Sequence, residues 1–185
     1  MKKILLLIAI VLLLAGCSSK HTPDQNEKIE SPEFKSYNGE QLRIGLIGEP
    51  PTIKEKNLIK FTSLELNLLN HLDSSKYDAI FIMKEYLEQA AEEKYANVYR
   101  HTSIPIFFIQ SKKSFIPFIT KEISYRDADE FKDQTYATGF LQQNKEEYQS
   151  WGYGLYNDTV NEMNIKDVYS RIFSTIESIK NGKGK

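Results

Sequence analysis

Cys17 is the only thiol in the chain. It follows eleven consecutive apolar residues, Ile4–Leu14, and the small pair Ala15-Gly16. A second set of reactive groups is scattered: Glu49 in "GEPP", Lys84-Glu85 after "YDAIFIM", and Lys112-Lys113 after "SIPIFFIQ". Each lies just past a short apolar run, with Gly48, Pro50, Pro51, Gln110 and Ser111 alongside. If the runs are parallel neighbouring strands, these groups share the rim where open α/β sheets take their ligands. Two acids and three lysines on one rim suit a small polar or zwitterionic ligand, and Glu49 and Glu85 are also the residue type for acid–base hydrolysis. "SWGYGLY" adds Trp151, Tyr153 and Tyr156, either as an aromatic face for a sugar or peptide or as core residues. Patterns for other chemistry are missing: there is no Gly-rich phosphate loop, HExxH, GxSxG or DxDxDG. His21, His71 and His101 are too far apart in sequence to suggest a metal site, and nothing implies a cofactor.

The elements that must position these groups alternate in type. "LRIGLIG" (42–48), "YDAIFIM" (77–83) and "SIPIFFIQ" (103–110) read as buried strands. Between the last two, Leu87, Ala90, Ala91, Tyr95 and Val98 fall at helical spacing opposite Glu88, Glu92 and Glu93, so a helix joins two strands in a unit of βαβ size. "TYATGFL" (135–141) and "WGYGLY" (151–156) read as further strands, and the charged stretch with Glu146-Glu147 between them as a short helix. A C-terminal helix carries one apolar stripe, Ile165, Val168, Tyr169, Ile172, Phe173, Ile176 and Ile179. Asn164 is placed to cap it, Asp167 to favour its first turn, and Asn181-Gly182 to end it. Ser63–Leu72 fits strand and helix alike, and its length favours helix. The expected fold is α/β, a single small sandwich with a mixed sheet of four or five strands and helices packed on it.

Organisation follows from composition. Met1-Lys2-Lys3 and the apolar run form a targeting segment too short to span a bilayer, which needs about 20 apolar residues. Residues 17–41 are polar, with the makeup of a flexible tether, and 42–185 form one domain. Beyond residue 16 the chain has 22 Lys plus Arg against 25 Asp plus Glu, a formal −3, which offers no electrostatic reason to bind nucleic acid.

Leu14-Ala15-Gly16-Cys17 resembles the lipobox of bacterial lipoproteins. The resemblance implies that a diacylglycerol alkylates the Cys17 thiol, that 1–16 are removed, and that the protein is held on the extracytoplasmic face of the cell membrane without a transmembrane helix. The residues alone also fit an ordinary secretory signal or an uncleaved helical anchor. "KYDAIFI" and "IPIFFIQSKK" resemble one lobe of a periplasmic solute-binding protein, although a two-lobed cleft needs a longer chain. "SIPIFF" is similar to the strand entry of thioredoxin folds, where the proline is cis, but no CxxC accompanies it. The expectation is a lipid-anchored binding or accessory module for a small polar ligand or an envelope protein, not an enzyme. The alternatives are a cell-envelope hydrolase using carboxylates and a surface-interaction lipoprotein of the immunity or exclusion kind.

Overall fold

The computed structural model describes residues 34–133 and 135–182. The targeting segment, Cys17 and most of the expected tether lie outside the described residues.

Six strands form one sheet: β1 (Leu42–Ile47), β2 (Ile59–Ser63), β3 (Ala79–Ile82), β4 (Ile106–Ile109), β5 (Thr135–Gln142) and β6 (Tyr148–Gly154). Their order is β2-β1-β3-β4-β5-β6; the first four are parallel, and β5 and β6 add antiparallel pairings. The mixed α/β sheet is as expected, with six strands in place of four or five. The additional strand is β2. Only Ile59 of "IKFTS" is buried, so this edge strand shows no apolar run in the sequence.

Four helices cover the faces: α1 (Leu87–Ala90), α2 (Glu93–His101), α3 (Ile116–Ile119) and α4 (Glu162–Lys180). The central strands are buried on both faces, as parallel strands between helical layers must be, which is why they read as continuous apolar runs. Register aligns Leu46, Phe81, Phe107, Gly139 and Trp151 in one row across the sheet. The row faces α4, whose Phe173 stacks on Phe81 at 6.1 Å. Gly139 has to lack a side chain there, because a Cβ would come within 2.7 Å of the Phe107 ring and 3.1 Å of Trp151. On the opposite face Ile80, Ile82, Ile106 and Phe108 meet α1, α2 and α3, and Phe118 stacks on Phe108 at 3.6 Å.

Several local expectations need correction. The helix expected between β3 and β4 is broken into a 3₁₀ turn (Lys84–Tyr86), α1 and α2, because Glu92 is extended (φ −66°, ψ 139°). Tyr99 closes the break by donating its hydroxyl proton to the Ala90 carbonyl at 2.8 Å. Ser63–Leu72 contains a 3₁₀ helix, Leu66–His71, in place of an α-helix. The Glu146-Glu147 stretch is a hairpin turn, held by the Asn144 Oδ1 accepting both backbone N–H groups. Helix α4 is capped by Asn161, whose side chain accepts the Asn164 N–H. Asn164 is turned inward, donating to the carbonyls of Tyr156 and Thr159 at 3.0 and 2.6 Å, and Asp167 pairs with Arg171 rather than serving the first turn. The predicted stripe and the Asn181-Gly182 end are as read. No peptide bond among the described residues is cis, so the thioredoxin likeness at Pro105 lacks that feature.

Folded structure also starts earlier than Leu42. Phe34 packs edge-on against Tyr156 at 5.7 Å, and buried Tyr37 donates its backbone N–H to Glu55 and its hydroxyl to the Glu40 carbonyl. Glu177 near the end of α4 accepts the Glu40 N–H at 2.7 Å. Residues 34–41 therefore run as a strap beside α4 from one end of the sheet to the other.

Candidate functional site

Parallel pairing puts the C-terminal ends of β1, β2, β3 and β4 on one edge. Because β5 runs against β4 and β6 runs against β5, the start of β5 and the end of β6 join the same edge. A cavity of about 560 Å³ opens there, lined by Lys84, Glu85, Leu87, Glu88, Gln110, Lys112, Lys113, Tyr125, Glu130, Thr135, Tyr136, Leu155, Val160 and Ile165. Lys84, Glu85, Lys112 and Lys113 are thus brought together as the strand-end argument expects.

Glu49 is not part of that set. It opens onto a separate hollow of about 590 Å³ with Ser63, Glu65, Gln89, Glu92 and Lys94. The link between the two is Glu85, whose Oε1 accepts the Glu49 backbone N–H at 3.3 Å. Gly48 permits this approach: its φ is +115°, and a Cβ would lie 2.5 Å from that same oxygen. What meets Glu85 is therefore the backbone of the GEPP turn, not a second carboxylate.

Lys113 is present at the cavity but not available to a ligand. It is 7 % exposed, and its Nζ donates to the carbonyls of Tyr125 (2.6 Å) and Arg126 (3.0 Å) while lying 5.1 Å from the Tyr125 ring centre. Together with the Phe131 N–H donated to the Lys112 carbonyl at 2.8 Å, it holds the 124–131 segment over the cavity. Glu88 is paired with Arg126 at 2.5 Å. Lys84 and Lys112 are exposed and have no ion-pair partner among the described residues. Apart from Lys113, whose ammonium is held by backbone carbonyls, the cavity-lining charges without a salt bridge among the described residues are Lys84, Lys112, Glu85 and Glu130, two of each sign.

The same cavity is lined by Leu87 from one face of the sheet and by Leu155 and Ile165 from the other, with Val160 alongside. At the inner end Gln110, in the left-handed region at φ +60°, donates its side-chain N–H to the Tyr136 hydroxyl at 3.0 Å. Tyr136 packs edge-on against Tyr169, whose buried hydroxyl has no well-formed hydrogen bond among the described residues. Burial, then the neighbouring Tyr136 and Glu85, push the Tyr169 hydroxyl far above the ordinary tyrosine range, so it stays protonated. Sequence reasoning missed Tyr125, Glu130, Tyr136, Leu155, Val160 and Ile165, since none follows a parallel strand; only the antiparallel order of β5 and β6 brings the latter four here.

The aromatic-face reading of "SWGYGLY" divides. Trp151 and Tyr153 face inward, 6.0 and 6.1 Å from Phe107, and only Tyr156 is exposed. Among the described residues no group of His, Cys, Asp and Glu is arranged to hold a metal, and no helix is long and apolar enough to cross a membrane.

Fold and edge cavity together define an α/β protein with small-molecule-sized hollows at its strand ends. Residues 1–18 match the family model of the prokaryotic membrane lipoprotein lipid attachment site, which implies lipid anchoring to a membrane. No curated protein and no solved structure matches the chain.

Proposed function

We propose that the protein is a binding module, held by lipid on Cys17 at the extracytoplasmic face, whose edge cavity takes a small zwitterionic ligand with an apolar portion. The carrying observation is that Lys84, Lys112, Glu85 and Glu130, none of them in an ion pair among the described residues, line one cavity together with Leu87, Leu155, Val160 and Ile165. A volume of about 560 Å³ falls within the range of small-molecule sites, roughly 300–1,000 Å³. Binding is preferred to hydrolysis because the two carboxylates suggested for acid–base work, Glu49 and Glu85, open onto different hollows.

Calorimetric titration of the full chain with free amino acids and dipeptides tests the reading, using matched simple amines and simple carboxylates as single-charge controls. An apolar zwitterion is expected to bind at least tenfold more tightly than either control, and the Lys84→Ala, Lys112→Ala double variant to lose at least that factor without a change in thermal midpoint. A preference for either single-charge control, or an unchanged affinity in the double variant, refutes the assignment.

A further inference from the structure

We infer that the cavity edge is also the face on which the protein rests against the bilayer that holds its lipid. The course of the strap carries this. Followed from β1 back toward the anchor, the chain passes Glu177 at the far end of α4, then Glu55, and reaches Phe34 against Tyr156. Lys54 lies over the other side of that contact, its Nζ 5.8 Å from the Phe34 ring centre. Tyr156 directly follows Leu155, a cavity wall residue, so the described residues begin at the corner of the cavity edge. Seventeen residue steps separate Phe34 from Cys17, at most about 60 Å of chain. The corner where the strap begins is the part of the domain nearest to the lipid along the chain.

That corner is also where apolar side chains are left uncovered. Tyr156 (46 % exposed), Val160 (67 %) and Met163 (54 %) follow one another in eight residues, and Phe131 (43 %) directly follows Glu130, a residue of the cavity lining. These are four of the seven large apolar residues exposed among the described residues. Local charges are mixed: Lys54, Lys84, Lys112 and Lys132 against Glu85, Glu130, Asp158 and Glu162. The attraction is therefore apolar insertion into the interface, not recognition of anionic headgroups, and depends little on salt. It need not be strong, because a tethered domain meets its own membrane at a high effective concentration. The orientation turns the cavity mouth toward the lipid surface, whether or not a ligand occupies it.

Because Cys17 is the chain's only cysteine and carries the lipid, an introduced cysteine is a unique labelling site. Val160→Cys, Met163→Cys and, at the opposite end of α4, Asn181→Cys are each labelled with an environment-sensitive fluorophore in the full lipidated protein. Each is then reconstituted in phosphatidylcholine vesicles containing a shallow nitroxide lipid. Quenching at positions 160 and 163 is expected to exceed that at 181 at least threefold, and to change less than twofold between low and high salt or on adding anionic lipid. Position 163 does not line the cavity, so its quenching excludes a label folded into the protein's own hollow. Equal quenching at the three sites, or stronger quenching at 181, overturns the inference. Protection of 160 and 163 that needs native membranes and is missing with pure lipid overturns it too, and assigns the edge to an envelope protein.

Discussion

Lys113 and Lys112 are adjacent in sequence, yet only one faces solvent, and the difference lies in where each charge is satisfied. Lys113 gives its ammonium protons to two carbonyls of the segment it pins, so Lys113→Met leaves the Tyr125 and Arg126 carbonyls without their donor. Hydrogen bonds from a charged group contribute about 1.5–3 kcal/mol, and urea unfolding is expected to show a loss of about 2 kcal/mol for Lys113→Met. Lys112→Ala is expected to stay within about 0.5 kcal/mol of the parent, as exposed unpaired positions do. Asp78 shows the same economy. Burial alone would raise its pKa, but the Arg43 guanidinium and backbone N–H, with Lys180 nearby, outweigh it and hold the carboxyl below its ordinary value. A depressed carboxylate stabilises the fold above its unfolded pKa, about 3.9, and that contribution is lost as pH falls through the folded value. Asp78→Asn should therefore lower the thermal midpoint at neutral pH, with the gap to the parent closing as the pH drops below about 4. A gap that is constant across that range would show that the carboxylate's charge is not involved.

At the level of elements, the start of α4 marks where sequence patterning stops being informative. Asn164 stands directly before the first stripe residue, Ile165, and so reads as the cap; the helix begins three residues earlier because Glu162 and Met163 form a first turn that is exposed and carries no apolar signal. Replacing the true cap, Asn161→Ala, should cost about 1 kcal/mol in chemical denaturation, with far-UV helicity otherwise retained. The central strands were legible for the opposite reason: burial on both faces leaves unbroken runs of β-branched and aromatic residues. Strand β2 was not, because an edge strand with exposed alternate positions has the composition of a loop. Gly139 tests the sheet itself. Its Cβ would have to displace Phe107 or Trp151 in the row beneath α4, so Gly139→Ala is expected to destabilise by roughly 1–3 kcal/mol by overpacking. A neutral result would mean that the row can shift without cost.

For the whole molecule, the candidate site was partly legible because strand ends are legible. The hollows along those ends were not: β1, β3 and β4 are parallel neighbours as the strand-end argument supposes, yet Glu49 opens onto another hollow than Lys84, Glu85 and Lys112. The core that fixes this order is held without disulfides, by aromatic residues packed in both layers. Several of them are tyrosines whose hydroxyls are shut away from water. Burial pushes Tyr153 up to about 12, more than offsetting the hydrogen bond to Thr175 and the nearby Arg171 that act in the other direction, and burial likewise raises Tyr99 and Tyr169. Tyr37 is raised by its own burial and by the facing Glu177, Glu40 and Asp78. A hydroxyl whose pKa is raised by folding contributes stability that is complete below the unfolded value, about 10, and is lost as pH climbs through the folded value. Four such groups acting together make the aromatic core sensitive to base. Spectrophotometric titration should show tyrosinate forming in two phases above about pH 10, the later one coinciding with loss of far-UV circular dichroism. Tyr153→Phe should reduce the amplitude of that later phase. If all tyrosines ionise in one phase while the dichroism is unchanged, the hydroxyls are reachable by hydroxide in the native state and the two-layer core is more open than its packing indicates.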